Sequence, residues 1–257
     1  PKTVRRQRQM CIRDRSYPKH EDLMKMGLNP KAMMSGLRIP APEPVLQHLN
    51  YQEFFGPVVS KCPAIVDDLK NVFVIKSPVD IQIEVDNQIN KLNVLKQELD
   101  FAKAFLGDPQ GKWGIHQLGM GYLFFAEKSL VATQLPAYYD ENDFTKWTHT
   151  ISSSFDIGNW FRVAGKPAFM IKQDAKTIDI KEGDPLIYYK FNTTEKIKLI
   201  EFDDQELQRL NEKSPEWMCS TLKDHTDKVL TLEKCYAYFN QYKMRQRILK
   251  LIKRNII

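Results

Sequence analysis

Residues 177–191 read TIDIKEGDPLIYYKF, and they constrain the fold more than any other stretch of the chain. Residues 177–180 alternate polar and apolar, the period of a half-buried strand. Lys181-Glu182-Gly183-Asp184-Pro185 is a turn signal, because glycine is free to take positive φ and proline fixes φ beside it. Residues 186–191 are apolar and aromatic, as in a strand covered on both faces. Upstream, residues 161–171 are rich in aromatic and aliphatic side chains, broken at Gly165-Lys166-Pro167. The whole reads as two or three antiparallel strands with a tight connection at Gly183.

The same logic extends along the chain. Val79, Ile81, Ile83 and Val85 alternate with Asp80, Gln82 and Glu84, a strand with one wet face. Before it, Cys62-Pro63 opens a short helix that ends near Asn71, with proline at its first position. Residues 72–75 are apolar. Ile89, Leu92, Leu95, Leu99, Ala102 and Phe105 recur at spacings of three and four, which predicts a helix or an insertion over 89–106. Residues 114–136 predict two more strands around Gly119 and Gly121, and residues 138–147 an aromatic, acidic loop. Residues 17–34 are Met-rich and helical in part. Residues 36–44, GLRIPAPEP, must be extended, since proline lacks the donor a helix needs. They read as a strap laid over the body or as a ligand for a proline-binding domain. From residue 203 the spacing turns helical.

The predicted fold class is therefore α+β. A mainly antiparallel β barrel or jelly-roll-like body spans 57–202, with a helical insertion near 89–106. An N-terminal strap with a short helix spans 17–56, and an α-helical part spans 203–257.

Residues 1–16 are set apart from this. Residues 5–15 read RRQRQMCIRDR and look like the translation of a transposon adapter used in sequencing libraries. In one frame ATG-TGT-ATA-AGA-GAC gives Met10-Cys11-Ile12-Arg13-Asp14. Such a scar is excluded from fold reasoning and is expected to be disordered. It also points to environmental DNA as the gene's origin, with a start that could be truncated. The competing reading is a basic arm for nucleic acid or a membrane surface. Lys2, Arg5, Arg6, Arg8, Arg13 and Arg15 stand against Asp14 alone, so this segment carries five of the chain's six net positive charges. Without it the charge is close to neutral, and no strong nucleic-acid signal remains. Cys62, Cys219 and Cys235 are then an odd, scattered set, which points to a reducing compartment and no disulfide framework. No apolar run approaches the roughly 20 residues needed to span a bilayer.

Two segments resemble known families. Asp156-Ile157-Gly158-Asn159-Trp160-Phe161-Arg162 and Lys181-Glu182-Gly183-Asp184 are similar to "G-x-x-D-x-x-Y/W-x-G" and "K-x-G-D" in β-clip proteins, the dUTP pyrophosphatases and dCTP deaminases. The phosphate-handling Pro-Arg-Ser-Ser motif and the Gly-rich tail of that family are missing. The resemblance implies a β-clip-like body and a ligand site at Asp156, Asn159, Trp160 and Arg162. There the acid would bind a nucleotide sugar or orient a water, the aromatic would stack, and the arginine would meet phosphate. A solvated strand edge with one buried tryptophan is the competing reading. Residues 62–202 also resemble a family of marine tailed phages without established activity. Cys62-Pro63, Ser77-Pro78-x-Asp80 and Gly183-x-Pro185-Leu186 follow in that family's order, while its "P-x-G-Y-S" is reduced to Leu118-Gly119-Met120-Gly121-Tyr122 and its "V-D-T-D" to Phe155-Asp156. This resemblance implies phage context, in the host cytoplasm or the virion, and no chemistry.

The remaining motifs argue against common chemistries. His20, His48, His116, His149 and His225 show no H-x-H or H-E-x-x-H spacing, and no C-x-x-C occurs, so no metal or cofactor is expected. Gly119-Met120-Gly121 lacks the third glycine of a dinucleotide fingerprint. No G-x-S-x-G and no G-K-S/T is present. Lys243, Arg245, Arg247, Lys250, Lys253 and Arg254 form a basic run, read as a nucleic-acid or membrane surface or as a solvated helix face. The expected function is a non-enzymatic structural or interaction module, partnered by a second copy or by a virion or host protein. The alternative is a nucleotide-binding or nucleotide-hydrolysing β-clip relative.

Overall fold

A computed structural model describes residues 8–13, 40–86, 91–94, 114–118, 123–158, 162–163, 168–201, 231, 234, 237 and 244–254. In chain order its strands are β1 (Arg8–Arg13), β2 (Glu43–Pro44), β3 (Val72–Lys76), β4 (Ile81–Asp86) and β5 (Lys91–Val94). Then come β6 (His116–Gln117), β7 (Leu123–Ala126), β8 (Val131–Pro136), β9 (Thr148–Thr150) and β10 (Ser153–Asp156). Last are β11 (Arg162–Val163), β12 (Ala168–Ile171), β13 (Thr177–Ile180), β14 (Pro185–Phe191) and β15 (Ile197–Glu201). The helices are α1 (Val45–His48), α2 (Tyr51–Val59), α3 (Pro63–Leu69), α4 (Asp143–Trp147) and α5 (Met244–Arg254).

The architecture is α+β, with mostly antiparallel sheets and few helices. The strands form four sheets, ordered β11-β7-β1-β15, β10-β8-β14-β3-β2, β6-β12-β9 and β13-β4-β5. Among the described residues they do not close into a barrel. The pairing shows why: β2–β3 and β4–β5 pair directly, but other strands close in sequence, such as β3 and β4 or β13 and β14, are placed in different sheets instead of continuing one ladder.

The five-stranded sheet is the structural centre. β14 lies between β8 and β3 and is covered on both faces, as its apolar run predicts. One face, with Phe73, Ile75, Ala132, Ile187, Tyr189 and Phe191, closes the larger core. The other presents Val72, Val74 and Tyr188 to a smaller core that Val45 and Leu69 complete from α1 and α3. The alternation along β3 assigns odd and even residues to different cores, the direct result of a period of two.

Four sequence expectations change. First, β13 and β14 are not a hairpin: β13 pairs with β4, and β14 with β3 and β8. The turn between them, with Gly183 at φ +87°, is a corner between sheets. It bonds to the loop after β3. Gly183 N donates to Ser77 O at 2.8 Å, Ser77 N to Asp184 O at 2.8 Å, and Glu182 N to Asp80 Oδ1 at 2.7 Å. Second, Lys91–Val94 is a strand on β4, not part of a helix over 89–106; the free edge of β4 outweighs a weak helical period. Residues 95–106 lie outside the described residues. Third, the loop over 138–147 contains α4. Fourth, Arg8–Arg13 does not lie free of the body. It pairs in parallel with β15 and antiparallel with β7, whose edges offer unpaired main-chain groups.

Other expectations stand as read. β4 places Ile81 and Ile83 inside, with Glu84 outside, and α3 starts at Pro63. The strap is extended at Glu43–Pro44, where it pairs with β3. Residues 17–34 lie outside the described residues, as does most of 203–243. Of the α-helical part expected over 203–257, α5 is the helix that the described residues show; its Arg245 donates to the carbonyls of Glu127 and Gly158 while Lys253 meets Glu127 at 2.7 Å. No described helix is long and apolar enough to cross a membrane.

Candidate functional site: a polar pocket beside an aromatic surface

The residues singled out from sequence come first. Asp156 ends β10 and turns its carboxylate onto its own surroundings. Oδ2 accepts from Ser129 Oγ at 2.5 Å, and Oδ1 accepts from Leu130 N at 3.0 Å and Gly158 N at 2.8 Å. Gly158 passes so close to the preceding turn that a Cβ there would lie 1.9 Å from Lys128 O. The Asp156-x-Gly158 pattern thus builds a turn, and Arg245 seals it from the C-terminal helix. Arg162 enters as a strand residue opposite Phe124. Asn159 and Trp160 lie outside the described residues.

A cavity of about 730 Å³ lies elsewhere, between the end of β8, residues 137–142, α4, β9 and Lys172. Its wall is fixed by local chemistry. Asn142 caps α4, accepting from Thr145 N at 3.0 Å, and Thr145 Oγ1 accepts from Asn142 N at 3.0 Å, a reciprocal cap. Asn142 Nδ2 also donates to Pro185 O at 2.7 Å, tying the wall to the central sheet. Asp140 is clamped from both sides, with His48 Nε2 at 2.8 Å from Oδ1 and the Tyr188 hydroxyl donating to Oδ2 at 2.5 Å. His48 Nδ1 lies 3.1 Å from Glu43, which in turn pairs with Lys76. This chain runs from the strap through the smaller core to the pocket. Burial and the Asp140 bond together push the Tyr188 hydroxyl well above the ordinary tyrosine range, so it remains a donor. Lys172 Nζ donates to Lys146 O at 2.5 Å, and Lys146 lies 4.9 Å above the Trp147 ring.

Beside the pocket runs a set of contacting rings. Tyr51 and Phe54 both contact Phe55, Phe54 and Phe55 contact Tyr139, and Tyr138 joins Tyr139 to Tyr188, at centroid distances of 4.5 to 5.8 Å. The outer members are uncovered: Phe54 is 50% exposed, Tyr138 48%, and the neighbouring Val58 81%. Burial pushes the Tyr138 hydroxyl up to about 12.

Sequence reasoning did not reach the pocket. The Asn142-x-x-Thr145 cap was readable as a helix start, whereas the His48–Asp140 pair, 92 residues apart, has no local signal. Among the described residues no group of three or more His, Cys, Asp and Glu is placed to hold a metal ion, and Cys62 is a free thiol. No family model, no curated protein and no solved structure matches the chain.

Proposed function

We propose that the protein is a non-enzymatic structural or interaction module of phage type, with a jelly-roll-like β body, acting in a virion or in the host cytoplasm. The observation that carries this reading is the uncovered aromatic surface of α2 and residues 138–139. Monomeric proteins seldom leave contiguous large apolar side chains in water, and where they do the patch serves an interface. A second copy of this chain is the partner the proposal commits to, because one self-complementary patch is enough for a two-fold dimer. Asp156 supports the same reading, since its carboxylate is engaged in a turn instead of facing a ligand.

Sedimentation across a concentration series tests it. The chain is expected to self-associate, and Phe54→Lys combined with Val58→Asp is expected to return it to monomer while its circular dichroism spectrum stays that of the parent and its melting temperature stops depending on concentration. A chain that stays monomeric throughout, and whose melting temperature rises with a nucleotide, would favour the β-clip alternative.

A further inference from the structure

The pocket adjoins the aromatic surface and shares Tyr138 with it, and the rest of its lining points to one class of ligand. Only Pro136 and Ala137 among the lining residues lack a polar side-chain group. An apolar ligand would strip water from those groups and return nothing. A nucleotide or free phosphate would meet Asp140, Glu141 and Asp143, and a simple cation would meet Lys146 and Lys172. Acids and bases side by side are complementary to a ligand without concentrated charge that both donates and accepts many hydrogen bonds. Hydroxyl groups on a ring do this: each can donate to a carboxylate and accept from an ammonium or amide.

Tyr138 supplies the second requirement. It is braced by Tyr139 at 4.5 Å and Tyr188 at 5.3 Å, yet half its surface is open. A braced ring is a flat apolar platform for the C–H face of a sugar, presented at little entropic cost. Asp140 and Asn142 are likewise held in place before any ligand arrives. The side chains of Glu141 and His149 make no hydrogen bond or ion pair among the described residues, so they are available. The volume, about 730 Å³, accommodates one to two sugar rings.

We propose that this pocket binds a saccharide, with Tyr138 as the stacking platform and Asp140, Glu141 and Lys146 as hydrogen-bonding groups. Titration calorimetry on the full chain with glucose, N-acetylglucosamine, glucuronate and inorganic phosphate tests it. At least one saccharide is expected to bind, with phosphate neither binding nor competing; the glucuronate arm shows whether the preferred sugar is charged. Tyr138→Ala is expected to weaken binding roughly tenfold. Because Tyr138 also packs on its neighbours, Glu141→Gln, at an exposed position, is the second variant and should weaken binding several-fold without changing the melting temperature. No heat with any saccharide, affinity unmoved by both variants, or phosphate competing as strongly as the sugar would each overturn the proposal. Its failure leaves the self-association test untouched.

Discussion

Asn71 shows how much of the fold can rest on one side chain. It is buried after α3, donates to Thr193 O at 2.7 Å and Glu195 O at 2.9 Å, and accepts from Ile197 N at 3.2 Å. One amide thereby satisfies three main-chain groups in the turn between β14 and β15, each of which would be costly to bury unpaired. His116 is the opposite case. It is buried against Phe169, with ring centroids 5.8 Å apart, and its Nδ1 has no hydrogen-bond partner among the described residues. Burial lowers its pKa, so the folded protein holds this ring neutral. Below about pH 6.5 the unfolded chain takes up a proton that the folded one refuses, so stability falls as pH drops through that range. Replacement His116→Phe keeps the ring contact and removes the titration. Thermal melts should show a constant offset between variant and parent above about pH 7 and a gap that widens in the variant's favour toward about pH 5. A gap that does not widen would mean that His116 charges freely in the fold. Nothing in the sequence marks His116 for this role, because only the register of β6 against β12 brings it to Phe169.

At the scale of elements, what was legible followed period and turn chemistry, and what was missed followed partner choice. β3, β4, β13 and β14 all fall where alternation or a buried apolar run places them. Which strand pairs with which was not legible, because Thr177–Ile180 has the same pattern whether its partner is β14 or β4. Of the site expected at Asp156, Asn159, Trp160 and Arg162, Asp156 lies in a turn with Gly158, and Asn159 and Trp160 lie outside the described residues; the pocket draws on residues from 136 to 172 that share no motif. The corner at Gly183 gives an element-level prediction. Its φ of +87° strains any L-residue although a Cβ would meet nothing there, so the cost is conformational alone. Gly183→Ala should lower stability by about 1 kcal/mol, and Gly183→Asn by less, because asparagine tolerates positive φ. Urea melts of the two variants check this. Equal losses, or none, would show that the corner relaxes and does not hold the two sheets in register.

For the whole molecule the segment to weigh is Arg8–Arg13. As β1 it has neighbours on both sides, which the sequence reading did not expect. The pairing is main-chain to main-chain, however, and any segment without proline offers those groups. Ordering six residues costs roughly 1 to 2 kcal/mol each in backbone entropy, while a ladder hydrogen bond returns a net of about 1 kcal/mol. The two nearly cancel, so a strand held by its backbone alone adds little. β15 has a hold of its own, through Ile197 in the larger core and Leu199 packed against it. Removing residues 1–16 also removes six basic side chains from a chain that is otherwise close to neutral. A chain beginning at Tyr17 should therefore melt within about a degree of the full one, since a change of 1 kcal/mol would move a protein of this size by only about 2 to 4 °C. A fall of several degrees would show that the side chains of β1 contribute to the sheet, and that the segment is a real strand of this fold and not a library scar lodged in an open edge.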